Sequence, residues 1–142
     1  MLPCFGELKL FILQSKRYNM ITELLAKAQE NIKSAELSFE GECYNASANR
    51  AYYAAIHAAA AAIFYAGVNV DIDHRKIKSV FSTTLVNARK LYPSQMKDQL
   101  NRLQRLRNVA DYDIESVSKS KATEQLSTAK KFVSTILSKV QS

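Results

Sequence analysis

The stretch CYNASANRAYYAAIHAAAAAIFYAG, residues 43–67, decides the fold. Its apolar residues recur at intervals of three and four, which is the period of a helix and not of a strand. Eight alanines lie between Ala51 and Ala62, and such small side chains allow neighbouring helices to approach closely. The pattern predicts a buried helix at the centre of the molecule, and Gly67 is suited to end it.

Further helices are predicted on both sides of this one, because the same three-and-four spacing recurs there. One helix precedes it, and each of the later helices carries its own apolar stripe. The predicted segments run from Met20 to about Phe39, over Ile77–Ala88 after an N-cap at Asp71 or Asp73, over Met96–Leu106 after Pro93, and over Leu126–Val140. Short connections join them, so we expect an all-α fold, an antiparallel up-and-down bundle of four to five helices.

The length of 142 residues suits one domain with a core of its own. The chain has only three glycines and two prolines, too few for the many turns of a sandwich or barrel. Residues 1–19 do not continue the bundle pattern and are interpreted as an N-terminal extension to a bundle over 20–142. This extension is an interaction arm, an extra strand or helix, or an upstream start that the cell does not use.

The sequence indicates a reducing, cytoplasmic location. Cys4 and Cys43 are too few for a disulfide framework, and no His/Cys cluster has the spacing of a metal site. The longest apolar run, Ala58–Ala66, is much shorter than the roughly 20 residues that span a bilayer. We therefore expect no metal, no cofactor and no membrane partner.

Positive charge is concentrated in the middle of the chain. The net charge of the whole chain is +7, and residues 74–110 hold nine Lys or Arg against Asp98 alone, a net charge of +8. A basic cluster of this kind is typical of a surface that binds nucleic acid, although a solvated face or a contact to an acidic protein explains it equally well. The candidate RNA-binding residues are Arg89, Lys90, Lys97, Arg102 and Arg105.

Arg50 and His57 form the first candidate site. They lie seven residues apart on the central helix, so both project from one face about 10 Å apart along the axis. A fixed cation beside an imidazole can stabilise a phosphate while the histidine moves a proton. The alternative is structural: Arg50 pairs with an acidic residue of the first helix, and His57 is a core histidine.

Arg107 and Asp111 form the second candidate site, near the end of the fourth helix. Four residues apart, they can pair on the helix surface. A carboxylate at a helix C-terminus opposes the helix dipole, so helix stability does not explain Asp111. Either the pair is functional, or it is a terminal ion pair with Tyr112 packed beneath it.

The two motifs Asn49–His57 and Arg107–Tyr112, in this order and fifty residues apart, resemble those of the HEPN superfamily. Within it they are similar to the small archaeal and bacterial proteins of the UPF0332 type. The resemblance covers roughly Met20 to Val140. It implies an all-α bundle that forms a homodimer and is often encoded beside a minimal nucleotidyltransferase, its partner in toxin–antitoxin-like modules.

The resemblance also implies a reaction. Many HEPN proteins are metal-independent endoribonucleases whose motif is an Arg, commonly followed by Asn, with a His a few residues later. Arg107 and Asn108 match, whereas positions 112–114 are Tyr, Asp and Ile. On this basis Arg107 and Arg50 are expected to hold an RNA phosphate and His57 to transfer the proton.

Asp111 or Tyr112 would then orient these three groups. The alternative, favoured by the missing histidine, is a non-catalytic dimeric scaffold that partners a nucleotidyltransferase or binds a nucleotide.

Overall fold

A computed structural model describes residues 4–141 of the chain, and every regular element among them is a helix. The helices are α1 (Phe5–Glu40), α2 (Tyr44–Tyr65), α3 (His74–Val80), which continues into a π-helical segment (Phe81–Ala88), α4 (Gln95–Tyr112) and α5 (Lys119–Gln141). The predicted all-α fold is confirmed.

Helix α2 is the central element of the bundle, as its alanines predicted. It packs against α1, α4 and α5 and also contacts α3. Its residues from Ala58 to Ile63 are all buried, although five of these six are alanines. Because no large side chain holds the neighbours away, three helices lie directly against the α2 backbone.

Long helices that follow one another along the chain run antiparallel. Asn49 of α2 contacts Asp111 of α4, and Tyr53, one turn further along α2, contacts Arg107, one turn earlier on α4. The same reversal relates α1 and α2: Ser47 donates a hydrogen bond to the Ala35 carbonyl. The order is therefore up and down, as the short connections predicted.

Helix α1 begins much earlier than the sequence pattern predicted. It starts at Phe5 and not at Met20, so the described part of the N-terminal extension is the first half of a continuous helix. Residues 7–19 contain neither proline nor glycine, so nothing in the chain stops the helix there. Residues 1–3 of the extension lie outside the described residues.

This first half of α1, residues 5–16, projects past the body of the bundle. The guanidinium of Arg17 donates to the Asn69 side chain and lies against Gly67, which marks where α1 meets the rest of the fold. Beyond it the apolar side chains are exposed, Phe5 by 84% and Phe11 by 65%. Four others share this exposure: Leu8, Leu10, Ile12 and Leu13.

Two helix ends fit their expected caps, and a third has a non-glycine residue in the left-handed conformation. Gly67 follows α2 with a φ of 82°, in the left-handed region that glycine adopts without strain. The Asp73 carboxylate caps α3 by accepting from the Arg75 and Lys76 amides. After α1, however, Gly41 has a φ of −81°, and Glu42 takes the left-handed conformation in its place.

Both cysteines, Cys4 and Cys43, are exposed free thiols. Within residues 4–141, no helix combines the length and apolar character needed to cross a bilayer.

Candidate functional site

An open polar cleft of about 730 Å³ lies where α2, the start of α3 and the last turns of α4 meet. Arg107 and Tyr112 line it, and both were predicted as site residues. Tyr52, which is buried on α2, and His74, the first residue of α3, line it as well. We call this the Arg107 cleft.

Arg107 is held firmly at the wall of this cleft. Its Nη2 donates to the Tyr53 hydroxyl at 2.8 Å, and its Nε lies 3.1 Å from Asp111 Oδ2. The guanidinium carbon lies 5.3–5.6 Å from the ring centroids of Tyr52, Tyr53 and Tyr112, within the range of a cation–π contact. Only 17% of the Arg107 side chain is exposed.

The charge of Arg107 is preserved in this setting. Burial alone would lower its pKa, but the Tyr53 hydrogen bond, the two tyrosines Tyr53 and Tyr112, and Asp111 raise the pKa above the ordinary arginine value. Of its five N–H groups, one donates to Tyr53 and one, more weakly at 3.3 Å, to Asn108. The Nε is buried against Asp111 without an aligned hydrogen bond, whereas among the described residues one N–H on each of Nη1 and Nη2 has no partner and remains for an anion in the cleft.

Asp111 connects α4 to α2, which explains its place near a helix C-terminus. The Asn49 amide donates to both of its carboxylate oxygens, at 3.1 and 2.9 Å. The Asn49 carbonyl oxygen in turn accepts from Arg50 Nε and Nη2, at 2.9 and 2.6 Å. A continuous polar chain thus runs from Arg50 through Asn49 and Asp111 to Arg107.

Arg50 extends this chain to α1. Its Nη1 donates to Asn31 Oδ1 at 3.1 Å, and its guanidinium carbon lies 4.8 Å from the centre of the Tyr53 ring. The structural alternative for Arg50 was a pair with an acidic residue of α1, and the observed partner is the amide of Asn31 instead. Four of the five predicted catalytic residues, Arg50, Arg107, Asp111 and Tyr112, therefore belong to one contact network, and Asn31 Nδ2 at its α1 end lies 3.5 Å from Nδ1 of the fifth, His57.

His57, the fifth, lies on the α1 side of Tyr53. Its Nδ1 is 2.8 Å from the Tyr53 carbonyl oxygen, and because a carbonyl only accepts, Nδ1 carries the proton. Burial lowers the pKa of His57, and the charges of Lys27, His74 and Arg50 lower it further against the opposing effect of the carbonyl. His57 is not among the residues that line the Arg107 cleft.

His74 was missed by the sequence reasoning. Its ring centroid is 4.9 Å from that of Tyr53 and 6.1 Å from that of Tyr52, and it lines the cleft together with Arg107. Burial and then the charge of Arg107 lower the pKa of His74, while Asp73 raises it. No spacing in the sequence relates His74 to Arg107, because a loop and two helices separate them.

The predicted RNA-binding residues fall in three places. Arg102 and Arg105 line a groove of about 690 Å³ beside α5, to which Lys121 and Lys131 also contribute. Both arginines are exposed. Four cations therefore face one open space in this groove.

Lys97 lines a second groove, of about 470 Å³, which lies between α3 and α4. Its ammonium donates to the Asn87 side chain at 2.8 Å. Arg89 donates to the Ala66 carbonyl at the end of α2, and Lys90 is an exposed turn residue with a φ of 52°.

The described residues contain no group of three or more His, Cys, Asp or Glu side chains placed to hold a metal ion. The groups that the Arg107 cleft offers are two guanidinium groups, one imidazole, two phenols and one carboxylate, that of Asp73. Such a set can bind a phosphate oxyanion and move a proton.

Comparison with known proteins agrees with this geometry. The family model described as the HEPN domain matches residues 21–140. Comparison with curated proteins gives no match. Since the family match covers most of the chain, including Arg107 and the whole polar network around it, this chain belongs to the HEPN domain family.

Proposed function

We propose that this HEPN domain binds RNA in the Arg107 cleft and cleaves it without a metal ion, as part of an RNA-linked or toxin–antitoxin-like module. Cleavage of this kind requires a group that activates the 2′-hydroxyl and a cation that stabilises the charge developing on the phosphate. Arg107 is the cation of this proposal.

The observation that carries the proposal is the way Arg107 is held. Tyr53 and Asp111 fix its guanidinium, three tyrosine rings surround it, and among the described residues one N–H on each of Nη1 and Nη2 has no partner. A positioned cation loses little freedom when it binds a phosphate, so its charge acts fully in the transition state. Arg50 contributes through Asn49 and Asp111 as a positioning residue.

Tyr112 supports an unpaired substrate. It is 73% exposed at the edge of the cleft while its ring contacts Arg107. An exposed aromatic ring beside a phosphate-binding arginine is suited to stack a base that is not in a duplex. Single-stranded segments are therefore the expected substrates.

The groove with Arg102 and Arg105 supports electrostatic attraction of a longer RNA. Exposed cations of this kind contribute affinity that falls with added salt, since binding releases counterions from the phosphates. We expect a steep loss of RNA affinity between low and high salt.

The test is incubation of labelled single-stranded and structured RNA with the purified protein in EDTA. Wild type should cleave the single-stranded RNA, and Arg107→Ala should reduce the rate by about 10²-fold or more. Lys33→Ala is the matched control, because it removes one exposed positive charge from α1, a helix that contributes no residue to the lining of the cleft. Absence of cleavage by wild type would contradict the proposal.

A second candidate function is a non-catalytic scaffold for a protein partner, either a second copy of this chain or a minimal nucleotidyltransferase. It is favoured by the six exposed apolar residues of α1 between Phe5 and Leu13, since clusters of exposed apolar side chains mark interaction surfaces. Light scattering of the full chain and of a chain starting at Met20 tests it. Loss of a dimer or of partner binding in the shorter chain would support the scaffold.

A further inference from the structure

The Arg107 cleft contains one imidazole, that of His74. The rings of His74 and Tyr53 are 4.9 Å apart, and the guanidinium carbon of Arg107 lies 5.5 Å from the same Tyr53 ring. Two groups that pack on one phenol ring can both contact a single nucleotide. The imidazole is half-buried and lines the open space with Arg107.

No hydrogen bond of the His74 ring occurs among the described residues, while its ring contacts are to Tyr52 and Tyr53. By contrast, the other histidine of the chain, His57, uses Nδ1 for the Tyr53 carbonyl. The ring of His74 is therefore placed by packing, and its nitrogens are available to a ligand in the cleft.

We propose that His74 is the group that accepts the proton of the attacking 2′-hydroxyl. This inference rests on the proposed function and supplies it with the histidine that the Arg107 motif lacks at positions 112–114. The imidazole comes from the start of α3 and not from the end of α4.

The step is a transesterification within the RNA strand. A neutral His74 nitrogen takes the proton, the 2′-oxygen forms a bond to phosphorus, and the bond from phosphorus to the 5′-oxygen breaks. Solvent water protonates the departing 5′-oxygen, and His74 returns its proton to solvent. The products are a 2′,3′-cyclic phosphate and a 5′-hydroxyl, and Arg107 stabilises the charge on the phosphate oxygens meanwhile.

The electrostatic surroundings of His74 favour the neutral form that a base requires. Arg107 faces it from α4, Tyr52 and Tyr53 face it from α2, and Asp73 precedes it on its own segment. Arg75 also lines the cleft. Because burial and Arg107 lower the pKa of His74 below its ordinary value of 6.5, most molecules carry the neutral imidazole at pH 7.

The test compares wild type with His74→Gln and His57→Gln on single-stranded RNA in EDTA. A glutamine keeps polarity but accepts no proton, so His74→Gln should lower the cleavage rate by about 10²-fold or more. Its affinity for a 2′-O-methyl RNA of the same sequence, which cannot be cleaved, should equal that of wild type. The product should carry a 2′,3′-cyclic phosphate.

A pH profile separates a base from a merely structural residue. The wild-type rate should fall on the acid side with an apparent pKa below 6.5, as expected from the direction of the His74 shift. This acid limb should be absent from the residual rate of His74→Gln and should persist in His57→Gln.

Two results would overturn the inference while the proposed function stands. In one, His74→Gln cleaves at the wild-type rate. In the other, His57→Gln alone loses cleavage and the acid limb, which would assign the proton to His57. If wild type itself does not cleave, the proposed function fails, and the role of His74 as a base fails with it.

Discussion

The two halves of α2 use the same helix for different purposes. From Ala54 to Phe64 every residue except His57 is buried, and most are alanines. From Asn45 to Tyr53 the helix carries polar side chains that reach α1, α4 and the loop before α5. The second half, residues 54–64, brings backbones together, and the first half, residues 45–53, connects them by directed hydrogen bonds.

Because of this difference, substitutions in the two halves of α2 should have different effects. Packed alanines leave no room for larger side chains, so the second half of α2 fixes the distances between helices. The polar half determines instead where Arg107 points, through Tyr53 and Asn49. The position of Arg107 thus depends on the hydrogen bonds of residues 45–53 and on the close packing of residues 54–64.

The largest effect is expected from overfilling the packed half. Ala59→Leu inserts a branched side chain at a position with no exposed surface, and it should lower the free energy of unfolding by about 3 kcal/mol. Urea denaturation measures this change. Ala46→Leu, at an exposed position of the same helix, is the matched control and should change stability little.

A smaller effect is expected in the polar half. Tyr53→Phe keeps the ring that faces Arg107 but removes the hydroxyl that accepts from Nη2, at a cost of about 1.5 kcal/mol in unfolding free energy. Denaturation of the variant at neutral pH provides the measurement. Expressed as a free energy, the loss in RNA cleavage rate should exceed the loss in stability. An unchanged cleavage rate would show that Tyr53 does not position Arg107.

The histidines make stability depend on pH. Their pKa values are lowered in the folded protein, so below an ordinary value of 6.5 the unfolded chain binds protons more readily than the folded one. The unfolding free energy should therefore decrease as pH falls from 7 through 6.5 toward the folded pKa values.

His57→Gln should make that decrease shallower, and urea midpoints at a series of pH values would reveal it. Asp71, which has a lowered pKa through its bond to Lys76, acts only near and below its ordinary value of 3.8. The contribution of Asp71 to the unfolding free energy can thus be separated by pH from that of the histidines. A midpoint that stays constant or rises on acidification from pH 7 to 5 would contradict this prediction.

The smallest effect on stability is expected from removing the first half of α1. This segment belongs to neither half of α2. Removal of residues 1–16 deletes side chains that, among the described residues 4–16, are exposed except for the half-buried Ser15, and it leaves Arg17 with its contact to Asn69. The unfolding free energy should change by less than about 0.5 kcal/mol. A larger loss in thermal or urea unfolding would mean that this segment packs on the bundle or on a second copy.

The sequence predicted the fold well, since helical periodicity and alanine content are local properties. The exception is the start of α1: the consecutive apolar residues 10–13 (Leu, Phe, Ile, Leu) are spread around the whole helix instead of forming one stripe, so their pattern did not indicate the element they belong to.

For the site, the four-residue spacing predicted the pairing of Arg107 with Asp111, and the motif Asn49–His57 indicated Arg50. Their connection through Asn49 depends on how α2 meets α4. The place of His74 depends on tertiary structure alone, because the loop before α3 delivers it to the cleft. No local pattern could have paired it with Arg107.

The ring of tyrosines around Arg107 gives the protein an optical property. The chain has seven tyrosines and no tryptophan, and three of the seven, Tyr52, Tyr53 and Tyr112, surround this one guanidinium. Tyrosine therefore dominates the intrinsic fluorescence, and three of its seven sources surround Arg107. We expect an anion bound at Arg107 to change the tyrosine emission of the unlabelled protein.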